Sequence, residues 1–247
     1  MQLKENERID DLELKGLKII QNTKGFCFGI DSILLADFAK NIKNEAKVID
    51  LGTGSGIIAT LLCAKTNLKS ILGIEIQSKV CDMAKRSIIL NKLEDKFQIL
   101  NENIKNLDEV LENQQFDAIV TNPPYKKINT GLKNENISKI IARHEVECTL
   151  EDIIKVSSKL LKDKGEIYLV HKTERLSEIM VTLGKYRLEP KILRLVQGTT
   201  KLKPNLVLIK AVKNGQAFLE VENTLIVYNE DGSYTDEILK IYGKERK

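Results

Sequence analysis

A chain of 247 residues with 42% hydrophobic and 30% charged side chains has the composition of a globular protein, which excludes a disordered or fibrous polymer. Its net charge of +4 permits a polyanionic partner but falls short of a dedicated nucleic-acid binder. No apolar run approaches the roughly 20 residues of a membrane span, and the opening MQLKENERIDDLELKG has no signal-peptide core, so a cytoplasmic protein without membrane association is expected.

Residues 1–45 predict a hairpin in LELKGLKIIQ and then a helix in GFCFGIDSILLADFAK, where Ile30, Ile33, Leu34, Leu35 and Phe38 share a face and Asp31 or Ser32 stands near its start. From Ala46 onward, short Val/Ile/Leu-rich runs alternate with longer amphipathic stretches, the pattern of βαβ units on a parallel sheet. The strands are 46–51, 70–75, 97–100, 116–121, 165–170, 188–197 and 205–212; the helices are 55–66, 77–91, 104–112, 149–163 and 173–184. Only GTTKLKP separates the final two strands, too little for a crossover helix, so they pair antiparallel. The α/β fold is therefore a Rossmann-like sheet of seven strands, mostly parallel, ending in an antiparallel hairpin, and it resembles the sheet of class I methyltransferases. Residues 46–212 form this domain, 1–45 an appended hairpin and helix, and 213–247 a strand, an Asp-Gly turn and a short helix.

The segment VIDLGTGSGIIATLL puts Gly52, Gly54 and Gly56 where a strand passes into a helix, allowing backbone to approach a ligand. Asp50 stands at the strand end and Glu75 closes the next strand. A carboxylate there accepts from both hydroxyls of a ribose. The spacing is GxGxG, not the GxGxxG of a pyrophosphate turn, and Asp50 suits the ammonium of an amino-acid tail, which favours S-adenosylmethionine over a dinucleotide. After the third strand, Asn103 supplies an amide oxygen for the cofactor's adenine amine; many methyltransferases carry Asp there. Cys27, Cys63, Cys81 and Cys148 contain no CxxC pair, and His144 and His171 are far apart, so no metal is expected.

The fourth strand, FDAIVT, runs into Asn122, Pro123, Pro124 and Tyr125 at the carboxyl edge of the sheet. An amine on an aromatic ring gives its lone pair to the ring and is a poor nucleophile. The Asn122 side-chain oxygen and the Pro123 carbonyl each accept one amine hydrogen and favour a pyramidal nitrogen. The prolines fix φ and remove competing N–H donors, and Tyr125 offers a stacking face. Asn122 also borders the cofactor position.

With these residues in view, the chain resembles the bacterial tRNA1(Val) adenine-37 N6-methyltransferase family across nearly its whole length: ERIDDLELKGLKIIQ, FGIDSILLADFA, DLGTGSG, TNPPY, IARHE at 141–145, GEIYLVHKTERLSEI and LIVYNEDGSYTDEILKIYG. The resemblance implies methyl transfer from S-adenosylmethionine to N6 of the adenosine beside the anticodon, with the tRNA anticodon loop as partner; a monomer is expected. It carries Asp50, Gly52, Gly54, Glu75 and Asn122 to Tyr125 into those roles and suggests a place beside the cofactor for Asp31. The chain departs from the pattern at Asn103, where Asp is usual, and in ENTLIVY, which lacks prolines before LIVY. Lys126, Lys127, Lys133, Lys139 and Arg143, after the NPPY motif, are the candidate RNA contacts.

Three alternatives stay open. A release-factor glutamine N5-methyltransferase also uses NPPY but carries a longer helical amino-terminal domain. A guanine N2-methyltransferase of ribosomal RNA needs the same acceptor pair. A non-catalytic RNA-binding protein on this scaffold would have lost Asn122 or Glu75, and both are present.

Overall fold

The computed structural model describes residues 2–25, 28–123 and 148–244. Ten strands and seven α-helices follow in these segments: β1 (Glu7–Asp11), β2 (Lys18–Asn22), α1 (Ile30–Phe38), β3 (Lys47–Leu51), α2 (Ile57–Lys65), β4 (Ser70–Glu75), α3 (Ser78–Leu90), β5 (Phe97–Asn101), α4 (Leu107–Val110), β6 (Phe116–Thr121), α5 (Leu150–Leu160), β7 (Leu161–Lys172), α6 (Leu176–Lys185), β8 (Leu188–Gln197), β9 (Leu206–Lys213), β10 (Glu220–Ile226) and α7 (Asp236–Ile241).

The central sheet has the order β10-β8-β9-β7-β6-β3-β4-β5. All its pairings are parallel except those of β9 with β7 and with β8. The mostly parallel sheet and its antiparallel hairpin are thus where the sequence placed them. The sheet has eight strands, not seven, because β10 returns alongside β8. The expected strand of the C-terminal segment therefore starts earlier, at Glu220, and completes the sheet edge.

The apolar residues explain why helices cover both faces. Along β3, Val48 belongs to one buried cluster and Ile49 to the other; along β6, Ala118 and Val120 face the first and Ile119 the second; along β7, Tyr168 and Ile167 divide the same way. This period of two in strands apolar on both faces is the mark of a sheet sandwiched between layers. One layer includes Leu34 and Leu35 of α1, Ile58 and Leu62 of α2 and Ile238 of α7; the other includes Ile154 and Leu160 of α5 and Ile179 of α6. Helix α5 starts at a capping box, in which the Thr149 hydroxyl accepts from the Asp152 amide at 3.1 Å and the Asp152 carboxylate accepts from the Thr149 amide at 3.0 Å.

Two expected elements differ in detail. The hairpin's first strand is Glu7–Asp11, upstream of the expected segment, since Leu12 turns inward to the core and the connection runs through positive φ at Glu13, Lys15 and Gly16. The helix expected over 104–112 is a 3₁₀ turn, Ile104–Asn106, followed by the single turn of α4.

The hairpin is fastened to α3. Arg86 donates to the two Glu7 carboxylate oxygens at 2.8 and 2.5 Å, and Lys4 pairs with Asp82 at 2.7 Å. The Arg86 guanidinium holds the Glu7 carboxyl below the usual carboxylate range. The Ile20 amide donates to the buried Ser87 hydroxyl at 2.9 Å, and the Lys18 amide to the Asn91 side-chain oxygen at 2.8 Å. Gln21, itself buried, then accepts from the Phe28 amide at 3.0 Å, which fixes where the chain enters α1.

Candidate active site

Strand order reverses between β3 and β6: β4 and β5 extend to one side of β3, β6 and β7 to the other. Ligands in open α/β sheets bind at the carboxyl ends of the strands flanking such a reversal. Leu51 and Thr121 are register partners, so Gly52 and Asn122 leave the sheet side by side. The Thr121 hydroxyl donates to the Leu51 carbonyl at 2.9 Å and locks the two strand ends together. Leu51 also pairs with Ile74, which sets Glu75 level with Gly52 on the other side. The structure thus brings the glycine turn, Glu75 and Asn122 into one row.

The turn after β3 needs its glycines, since Gly52, Gly54 and Gly56 have φ of +75°, +57° and +86°. A β-carbon on Gly52 or Gly54 would meet nothing within 4 Å, so the turn borders open space there. On Gly56 it would reach the Phe97 ring at 3.1 Å; Gly56 serves close packing of α2 against β5. The Thr53 amide donates to the Ile74 carbonyl at 2.9 Å and the Gly54 amide to Glu75 Oε2 at 3.1 Å, which ties the turn to the end of β4.

Glu75 is buried, and its other oxygen accepts from the Gln77 amide at 2.9 Å. Each carboxylate oxygen has lone pairs beyond these amide bonds, so hydroxyl donors can still be accepted. The Asn101 side-chain amide donates to the carbonyls of Glu75 and Ile76 at 2.7 and 2.9 Å and fixes the bend that follows β4.

Asp50 is wholly buried. One oxygen accepts from the Thr53 hydroxyl at 2.6 Å, while the other, Oδ1, has no hydrogen-bond partner. Burial pushes the carboxyl up to about 7, the Thr53 hydroxyl and the Ala59 amide only partly oppose it, and the Glu75 charge adds to it. A buried oxygen without a donor, beside a turn that leaves space over Gly52 and Gly54, fits a ligand with a cationic or N–H donor group.

Asn103 caps the 3₁₀ turn, its side-chain oxygen accepting from the Lys105 amide at 3.0 Å. Asp31 lies in the first turn of α1 and accepts from the Ser32 amide at 3.0 Å. Asn122 directs its Nδ2 to the Ser32 hydroxyl at 3.1 Å, and Pro123 is buried. Pro124, Tyr125, Lys126, Lys127, Lys133, Lys139, Arg143 and His144 lie outside the described residues, as does Cys27. His171, on β7 two residues beyond the Thr121–Leu169 pair, is buried; burial and then the Arg175 charge push its imidazole down to about 4, so it is neutral.

Sequence reading missed Ser32 as a partner of Asn122, Thr53 as a partner of Asp50, and Asn101 and Gln77 as supports of Glu75. Thr53 lies within the glycine motif, and an adjacent hydroxyl was the available signal. Ser32 and Asn122 are 90 residues apart in the chain, and nothing in either local sequence joins them.

Residues 29–186 match the model of the methyltransferase small domain. The tRNA1(Val) (adenine(37)-N6)-methyltransferase of Porphyromonas gingivalis is 28% identical over 94% of this chain and 93% of its own length. The protein of the same name from Flavobacterium johnsoniae is 23% identical over 93% of this chain and 96% of its own. Among solved structures, a predicted O-methyltransferase from Agrobacterium tumefaciens superposes with a TM-score of 0.69 at 18% identity, covering 87% of this chain and 98% of that one, a likeness of fold.

Proposed function

The chain belongs to the methyltransferase small domain family, and from that premise we propose that it transfers a methyl group from S-adenosylmethionine to N6 of an adenine in tRNA, adenosine 37 of tRNA1(Val). The observation that carries this reading is the emergence of Asn122 and Pro123 from β6 beside the Gly52 turn, with Glu75 level on the other side of that turn. Relatives named for this reaction match over nearly their whole length and support the target base.

S-adenosylmethionine supplies an electrophilic methyl group on a sulfonium. Glu75 would hold the ribose hydroxyls, and Asp50, with the open turn at Gly52 and Gly54, would receive the amino-acid end. Asn103 offers its side-chain amide to the adenine, although its oxygen already caps the 3₁₀ turn. Asn122 Oδ1 and the Pro123 carbonyl each accept one hydrogen of the target amine, which turns the nitrogen lone pair toward the methyl carbon. Transfer to that nitrogen would make it acidic, and its proton would leave to water. Pro124 and Tyr125 complete the motif by sequence, Tyr125 as a stacking face for the base.

A base in an anticodon loop is already partly unstacked, so extruding it costs less than the few kcal/mol needed in a duplex. The enzyme is expected to act as a monomer in the cytoplasm. Purified protein and methyl-labelled cofactor, incubated with unmodified tRNA1(Val), the same tRNA substituted at adenosine 37, and a peptide release factor, provide the test. Label in the first tRNA alone is expected. Equal label in the substituted tRNA, or label in the release factor, overturns the target.

A further inference from the structure

We infer that Ser32 is a positioning residue for methyl transfer: its hydroxyl fixes the side-chain amide of Asn122 so that the oxygen, not the NH2, faces the target amine. The inference rests on the function proposed above.

The two ends of an asparagine amide are close to isosteric but opposite in polarity. With Oδ1 toward the substrate, Asn122 accepts an amine hydrogen. Turned by half a rotation, it would point two N–H donors at a group that also donates, and the contact would become repulsive. Pro123 has no N–H and cannot select the orientation by donating to Oδ1. Among the described residues, Asn122 Nδ2 donates to Ser32 Oγ at 3.1 Å, which leaves Oδ1 on the other side of the amide.

Ser32 is suited to this by its own fixation. It is buried in the first turn of α1, and its amide donates to the Gly29 carbonyl at 3.3 Å and to Asp31 Oδ1 at 3.0 Å. The entry to α1 is set in turn by Gln21, which accepts from the Phe28 amide, while Gln21 Nε2 donates to Asp10. The amino-terminal hairpin, fastened to α3 immediately after Glu75, thereby sets the helix that orients Asn122. Asp31, given a place beside the cofactor by resemblance, braces Ser32 from within the same turn.

The test is Ser32→Ala, which removes one oxygen from a helix and leaves a strong helix former. Loss of one intramolecular hydrogen bond predicts a fall in kcat of about 3- to 10-fold on tRNA, with KM for tRNA, Kd for S-adenosylmethionine and Tm close to wild type. In an Asn122→Ala background the same substitution should cost nothing further, because its route of action is gone. In the free protein, the Asn122 side-chain amide resonances should shift on Ser32→Ala, a readout independent of turnover. Unchanged kcat in Ser32→Ala, or an equal loss in both backgrounds, overturns the inference while leaving the proposed function standing. A wild-type protein inactive on tRNA overturns the function first, and this inference with it.

Discussion

The two halves of the site are built by different means. On the β3–β4 side, the proposed cofactor cradle joins backbone to two carboxylates: three glycines at positive φ, amides donating into Glu75, and Asp50 held by the Thr53 hydroxyl of the turn. On the β6 side, the proposed amine acceptors are the Pro123 carbonyl and the Asn122 side chain, which donates to a helix 90 residues earlier in the chain. The first half is specified within a stretch of about 30 residues. The second is specified only by the fold, so the two should respond differently to substitution.

Asn122→Ala should produce the largest effect, a loss of about 100- to 1000-fold in kcat, since it removes one preorganised acceptor. Cofactor affinity measured by calorimetry should stay within about threefold, a ratio well below one hydrogen bond to a charged group. Comparable losses in both quantities would mean that the two halves are one unit. Glu75→Ala is the converse substitution. Removing a carboxylate acceptor of ribose costs roughly 1.5–3 kcal/mol, or about 10- to 150-fold in Kd for S-adenosylmethionine, and an unchanged Kd would take Glu75 out of the cradle.

Asp50 sharpens the comparison through pH. Its carboxyl is raised from 3.8 to about 7 in the folded protein. The stability that protonation contributes is therefore fully present below the unfolded value and is lost as pH rises through about 7. Asp50→Asn removes that loss, so above pH 7 the free protein should melt at a higher temperature, with a ceiling near 4 kcal/mol at about 1.36 kcal/mol per unit. A cationic ligand at Oδ1 favours the ionised carboxyl, so wild-type affinity should rise by about tenfold per pH unit up to pH 7 and then level. Titrations in buffers of different ionisation enthalpy should show proton release on binding below pH 7. A flat affinity across pH 5.5–8, quoted as an approximate titration range around that carboxyl, would place the ligand's charge elsewhere.

The smallest effects separate the glycines. Gly54→Ala at φ +57° should cost about 1–2 kcal/mol of strain and lower Tm by a few degrees. Because its β-carbon enters open space, cofactor affinity should fall as well. Gly56→Ala meets the Phe97 ring and should destabilise more than Gly54→Ala. Equal Tm losses in the two variants would contradict that packing.

How far the sequence foretold this arrangement follows from the same contrast. The glycine turn, Asp50, Glu75 and the NPPY start were legible because strand periodicity and turn chemistry are local, and register then makes their adjacency inevitable. The antiparallel end of the sheet was legible from the shortness of the 197–206 connection. A strand in the carboxyl-terminal segment was legible too, but not its start at Glu220 or its place as the eighth strand of the sheet, because Glu220, Glu222 and Asn223 interrupt its apolar residues and it pairs along one edge only. Nor was the capping role of Asn103, where a side chain expected to face a ligand also closes a 3₁₀ turn. Ser32 reads as an ordinary first-turn residue until α1 is laid over β6.

Lys65 on α2 donates to Asp37 of α1 at 3.0 Å and to the Ile241 carbonyl of α7 at 2.8 Å, and Glu13 pairs with Lys244. Residues 13, 37 and 65 are thus tied to residues 241 and 244, far along the chain. A nascent chain at residue 213 has already made the glycine turn, Glu75 and Asn122, yet α1 still lacks its partner in α7. With such long sequence separations, closure of this corner is a late event in folding. Helix α1 also packs on α2 and β7, so the carboxyl-terminal helix closes a corner whose other walls come from earlier in the chain.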